Sequence, residues 1–129
     1  MARVLVIDDD EDVREMLALM VGSAGHEVVA PRVGPGLRPV VAAGQYDVVV
    51  TDVLMPELDG IEVIKLVRAA RPACPIIAIS GGSPRMPASV GLKLTEAFGA
   101  NVVLYKPFER DELIEAIEQL CRAVPSAAR

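Results

Sequence analysis

Five short apolar runs punctuate the chain: VLVI at 4–7, EVVA at 27–30, DVVVT at 47–51, PIIAIS at 75–80 and NVVLY at 101–105. They are continuous rather than alternating. A strand with one wet face alternates apolar and polar residues, whereas a strand covered on both faces does not. Between the runs lie segments with helical spacing. Residues 11–24 set Val13, Met16, Leu17, Met20, Val21 and Ala24 on one stripe, taken as core, with Asp10 as N-cap and Gly25 as terminator. Residues 59–70 turn Ile61, Ile64, Leu66 and Val67 inward, and residues 110–123 do the same with Leu113, Ile114, Ile117 and Leu120. A further helix is expected over about 88–98, ended by Gly99. The weakest segment is GPGLRPVVAAG at 34–44, which has the place of a helix but carries Pro35, Pro39 and three glycines. Pro39 is tolerable there only in a first turn.

Five strands alternating with five helices predict an α/β domain over residues 1–123, with a short tail at 124–129. The sheet is expected to be doubly wound and parallel, with helices on both faces. Aromatic residues are 3% of the chain and Trp is absent, so the core must be aliphatic. The same scarcity argues against a stacking platform for single-stranded nucleic acid. The net charge of −5 leaves no basic footprint for direct nucleic-acid binding, but it suits a divalent cation. The N-terminal apolar run is too short for a signal peptide or a membrane span, which implies a cytoplasmic protein with no membrane insertion. Cys74 and Cys121 lack metal-ligand spacing and read as reduced thiols. His26, the single histidine, reads as a residue at the start of a strand.

In an open parallel sheet, chemistry gathers beyond the carboxyl ends of the strands. Asp8, Asp9 and Asp10 follow the first strand, Thr51 and Asp52 end the third, Ser80 ends the fourth, and Lys106 with Pro107 follows the fifth. A 2-1-3-4-5 strand order would make the first and third strands neighbours and bring Asp8, Asp9 and Asp52 together. Three carboxylates in one pocket repel unless a cation neutralises them, and all-oxygen ligands of this kind suit Mg²⁺. Asp10 to Asp12 lie where a helix N-terminus favours negative charge. Lys106 and Ser80 would add a fixed positive group and a hydroxyl, the complement of a phosphoryl group.

The motifs VLVIDDD, DVVVTDVLMPELDG, IIAISG and YKPF occur in that order and cover the chain from residue 3 to about 121. With them the chain resembles a response-regulator receiver domain of two-component signalling, of the single-domain, chemotaxis-regulator-like kind. The resemblance implies a flavodoxin-like fold and a specific set of roles. Asp52 would be the phospho-acceptor. Asp9 would bind Mg²⁺ (or Mn²⁺) directly and Asp8 mainly through water, with Asp52 and the backbone carbonyl of Leu54 completing the protein ligands. Ser80 would bond a phosphoryl oxygen and Lys106 would pair with the phosphoryl group. The Lys106–Pro107 peptide would be cis, and Asp59 could cap the third helix. The implied partners are a sensor histidine kinase or phosphotransfer protein, and a downstream effector protein. The implied activity is a switch that promotes its own phosphorylation and dephosphorylation, not a turnover enzyme. Because the sequence ends soon after the last helix, a receiver without its own output domain is the expectation.

Three features depart from the family's usual pattern. Val103 stands where Tyr or Phe is common, and Tyr105 lies next to Lys106, on the strand face opposite to that of the lysine. That puts aromatic switching in doubt. The segment between Ser80 and Lys106 is longer than expected and holds Gly81, Gly82, Pro84 and Pro87. It is expected to be mobile and to form a partner-specific surface. The second helix carries Pro and Gly. Two other functions compete. A small phosphohydrolase with an aspartyl-phosphate intermediate would share the acidic strand end, Ser and Lys, but the D-V-L-M-P-x-L-D-G motif and the absence of a cap domain oppose it. A degenerate receiver used only for binding would not need the complete acceptor set.

Overall fold

The computed structural model describes residues 2–52, 60–80 and 99–123. Strands β1 (Arg3–Ile7), β2 (Glu27–Val29), β3 (Val48–Asp52), β4 (Ile76–Ser80) and β5 (Val102–Tyr105) pair in parallel in the order β2-β1-β3-β4-β5. Helices α1 (Glu11–Ser23), α2 (Leu37–Ala43), α3 (Gly60–Ala70) and α4 (Arg110–Ala123) cover the sheet. The helix expected at 88–98, the preceding Gly/Pro-rich segment, Asp59 and the tail at 124–129 lie outside the described residues.

The continuous apolar runs are explained by two cores. Successive side chains of a strand point to opposite faces. Val4 and Val6 of β1, with Val48 and Val50 of β3 and Ile77 and Ile79 of β4, pack on one face against Leu17 and Val21 of α1 and Leu113 and Ile117 of α4. Leu5, Ile7, Val49 and Ile76 pack on the other face with Leu37 and Val41 of α2 and Val63, Ile64 and Val67 of α3. Removing one such chain from water stabilises the fold by about 1.5–3 kcal/mol.

Local signals set the helix ends. Asp10 accepts the backbone N–H groups of Asp12 (3.0 Å) and Val13 (3.2 Å), capping α1 as its sequence position suggests. Gly25 takes φ +91° just after α1, a conformation that a side chain disfavours. The segment at 34–44 does form a helix. Pro39 occupies its third position, where the backbone N–H would have no intrahelical partner anyway. α2 stops at Gly44, where any side chain would meet the Tyr46 ring; that ring is anchored by an O–H donated to the Val40 carbonyl at 2.8 Å.

Three residues sit otherwise than expected. Met16 is 45% exposed rather than part of the core, because Leu17 and Val21 already face the sheet and Met16 is turned to the flank of α1. Val63, not singled out by the spacing, is fully buried while Leu66 is only half-buried. Neither cysteine forms a disulfide, and burial pushes the Cys74 thiol up to about 11, which makes it a poor nucleophile. Among the described residues no helix is long and apolar enough to cross a membrane.

Arg68 fastens the lower end of this architecture. Its guanidinium donates to the carbonyls of Pro72 (3.2 Å), Cys74 and Gly99 (2.6 Å) and to Asn101 Oδ1 (2.8 Å), which also accepts the Ile76 N–H at 2.8 Å. One side chain thus joins α3, the start of β4 and the turn into β5. Arg68→Ala is expected to lower stability by about 2 kcal/mol, since carbonyls paired with a charged donor lose it together. The check is urea unfolding, in which the midpoint should fall with the slope unchanged. A midpoint equal to that of the wild type would show that water replaces the guanidinium without cost.

Candidate functional site

The register of the sheet decides which strand ends meet. Ile7 of β1 pairs with Thr51 of β3, so Asp8, the next residue, comes level with Asp52. Asp52 pairs with Ile79 of β4, which puts Ser80 one step beyond it. Ser80 pairs with Tyr105, and its carbonyl accepts the Lys106 N–H at 3.0 Å. The carboxyl ends of β1, β3, β4 and β5 therefore present Asp8, Asp52, Ser80 and Lys106 along one edge. Asp8, Asp52 and Ser80 are all buried, at 1%, 6% and 2% exposure. The Lys106–Pro107 peptide is cis.

Carboxylate oxygens of Asp8, Asp9 and Asp52 lie within 4.8 Å of one another. Two unit charges at that separation repel by about 3 kcal/mol at an effective dielectric constant of about 20. Lys106 Nζ is 3.5 Å from Asp52 Oδ2 and offsets one negative charge of the three. Asp8 bears the strain most clearly. Its Oδ1 accepts the Asp10 N–H at 2.9 Å, while its Oδ2 is buried without a hydrogen-bond partner. Burial raises the Asp8 carboxyl from 3.8 to about 6; the Asp10 N–H and Lys106 pull it down, and Asp52 and Asp9 push it up.

This donor set fits a hard divalent cation. The ligand atoms are carboxylate oxygens, they converge, and one of them is buried and unsatisfied. Leu54, whose carbonyl the sequence resemblance adds to the set, lies outside the described residues. Thr51, adjacent to Asp52, is buried and donates its hydroxyl to the Asp52 carbonyl at 3.1 Å, bracing the end of β3.

Two local features were not singled out in the sequence. Arg14 is buried, at 9% exposure, and its Nη1 donates to the Asp8 carbonyl at 3.2 Å. Its place three residues before Leu17 and seven before Val21, both buried, was the available signal. An apolar cleft of about 350 Å³ opens beside Lys106, between Val13, Met16 and Leu17 of α1 and the Pro107–Phe108 segment.

The sequence and the fold are similar to those of known proteins. Residues 4–118 match the family described as "Response regulator receiver domain". The chain is 35% identical over 128 residues to the DNA-binding transcriptional regulator NtrC of Azospirillum brasilense, covering 98% of this chain and 26% of that protein. It is 32% identical over 121 residues to the cell cycle transcriptional regulator CtrA of Caulobacter vibrioides, covering 93% of this chain and 50% of that one. The chain thus spans half or less of the length of these curated relatives. Among solved structures, the receiver domain of Francisella response regulator 1452 superposes with a TM-score of 0.78 at 30% identity, covering 95% of this chain and 98% of that one. Chemotaxis response regulator CheY4 of Vibrio cholerae superposes with a TM-score of 0.78 at 29% identity, covering 93% and 98%.

Proposed function

The chain belongs to the response regulator receiver domain family, whose members are signalling switches of two-component systems, and we propose that it is a switch phosphorylated on Asp52. The observation that carries this reading is the convergence of Asp8, Asp9 and Asp52 with Lys106 Nζ 3.5 Å from Asp52 Oδ2. A carboxylate nucleophile, a fixed cation beside it and an oxygen-only seat for a divalent metal make up what phosphoryl transfer to an acid requires.

In this reading an Asp52 oxygen attacks the phosphorus of a donor phosphohistidine. A P–O bond forms, the P–N bond breaks, and the electron pair leaves on the imidazole nitrogen, which takes up a proton. Lys106 pairs with the phosphoryl oxygens, and the Ser80 hydroxyl donates to one of them. Asp8, Asp9, Asp52 and the Leu54 carbonyl would hold Mg²⁺ or Mn²⁺. When bound, such an ion supplies charge neutralisation between the anionic acceptor and the anionic phosphoryl group. The donor would be a sensor histidine kinase or phosphotransfer protein. The phosphorylated surface would then select a downstream effector protein, with no nucleic acid bound directly by this domain.

The test is intact mass after incubation with a small-molecule phosphodonor. A single phosphoryl adduct that forms with Mg²⁺ and not in chelator supports the reading. A folded protein that acquires no adduct under either condition would remove it.

The cleft beside Lys106 gives a protein donor an apolar seat next to the acceptor. Met16→Asp should slow phosphorylation by a histidine-phosphorylated donor protein by about tenfold, the effect of burying an unpaired charge in an interface. The rate with a small-molecule donor should be unchanged. Equal slowing with both donors would show damage to the site rather than to docking.

A further inference from the structure

The geometry assigns Arg14 as the positioning residue of the cation seat: it holds the β1–α1 turn so that Asp9 is directed at Asp8 and Asp52. This inference rests on the proposed reading of the acidic cluster as a divalent-cation site.

Asp8 lies just past the last residue of β1 that pairs with β3. Its carbonyl is reached not by the sheet but by α1, through Arg14 Nη1 at 3.2 Å. The Arg14 backbone N–H donates to the Asp10 carbonyl at 2.9 Å, and the Asp10 N–H donates to Asp8 Oδ1 at 2.9 Å. Asp10 in turn caps α1 through Asp12 and Val13. Arg14 is therefore joined to both neighbours of Asp9, to Asp8 by its side chain and to Asp10 by its backbone. With Asp8 and Asp10 both held, the peptide units on either side of Asp9 have little freedom, and its half-buried carboxylate inherits their direction. A guanidinium is costly to bury, and an ordinary helix position would let it reach water. At this position it lies under 10% exposed on the same stripe as Leu17 and Val21 and spends a charged donor on a backbone carbonyl. Outer partners of this kind orient metal ligands, and their loss typically weakens metal affinity by about 10- to 100-fold.

The sign of the effect separates this role from simple charge balance. Removing a positive charge near an acidic cluster should tighten cation binding if Arg14 acts only through its field. If it acts by holding the turn, binding should weaken. The probe is Mn²⁺, followed by the electron paramagnetic resonance signal of the free ion, with the full chain as wild type, Arg14→Met and Arg14→Lys. Met keeps a buried unbranched stem without the donor. Urea midpoints taken in chelator separate affinity from stability.

The expected result is Mn²⁺ binding weakened about tenfold in Arg14→Met, and by a smaller factor in Arg14→Lys, which keeps the charge but not the planar donor. Affinity equal to or tighter than wild type in Arg14→Met overturns the assignment, whatever happens to stability. Should Arg14→Met fail to fold, Arg14→Lys decides alone: weaker binding supports the role, and wild-type affinity overturns it. A wild-type protein that binds no Mn²⁺ defeats the cation reading itself, and the wild-type arm reports that outcome separately.

Discussion

Asp52→Asn protein will take up no phosphoryl group from a small-molecule donor, under conditions in which the wild type acquires one. The amide keeps the shape of the carboxyl, and position 52 is the last residue of β3, buried and paired in register with Ile79. The variant should therefore fold. What it loses is the proposed nucleophile. An amide oxygen lacks the charge to attack phosphorus at a useful rate, and among the described residues no second carboxylate lies as close to Lys106 as the ion-paired Asp52. Asp8 has one oxygen bound by the Asp10 N–H and a carboxyl that burial holds substantially protonated up to about pH 6. The loss should be complete within detection. Lys106→Ala should reduce the rate by about 100-fold or more, as expected for removing one donor aimed at developing charge. The adduct on the wild type should be cleaved by hydroxylamine, which attacks acyl phosphates and leaves phosphoserine intact. An adduct on Asp52→Asn equal to that on the wild type would sink the assignment. If that adduct also resisted hydroxylamine, Ser80 would become the acceptor to examine.

Much of this site was legible before any coordinates because strand ends are positions that sequence defines well. An apolar run that stops at a polar or charged residue marks both the end of a strand and the edge of a parallel sheet, and that single inference placed Asp8, Asp52, Ser80 and Lys106 at one edge. The strand order then made Asp8 and Asp52 neighbours, and the register of Ile7 with Thr51 confirms their level. Helix faces were less legible. The α1 spacing could not tell that Met16 would be left on the flank beside Pro107 and Phe108, because that flank exists only once β5 is placed beside β4. Arg14 was overlooked for a different reason. Arginine is ordinarily exposed, so its occupation of a core-facing position was outweighed by its residue type. Pro39 shows a third case. Its acceptability turns on whether it falls in the first turn, and helix starts are blurred by a residue or two in any reading of spacing alone. Val103 and Tyr105 sharpen the question of output. Val102 and Leu104 pack toward α1 and α4, so Val103 and Tyr105 share the other face, and Tyr105 is 43% exposed opposite Ser80.

The metal-free protein should lose stability as pH rises through about 6, and a saturating divalent cation should restore it. The sign follows from Asp8. Burial, reinforced by Asp52 and Asp9 and opposed by the Asp10 N–H and Lys106, raises its carboxyl from 3.8 to about 6 in the folded chain. Between those values the folded state holds a proton that the unfolded state has released. The stabilisation is thus fully present below 3.8 and is lost as pH passes through about 6. The free energy at stake over the whole range is about 3 kcal/mol, a large share of the stability of a small domain, and about half of it is lost above pH 5. Above about pH 6 the ionised Asp8 is a buried anion beside two others, and a cation bound there returns what deprotonation removed. Urea unfolding at about pH 5 and about pH 7.5, in chelator and in Mg²⁺, measures both effects. Asp8→Asn supplies the control. With a neutral isostere at position 8, the chelator midpoint at the higher pH should rise above that of the wild type, and the gain from Mg²⁺ should shrink. If Asp8→Asn and the wild type show the same dependence on pH and on Mg²⁺, the buried carboxyl with its unsatisfied Oδ2 is not the group that couples folding to cation binding, and the cluster's electrostatics must be carried by Asp9 and Asp52 alone.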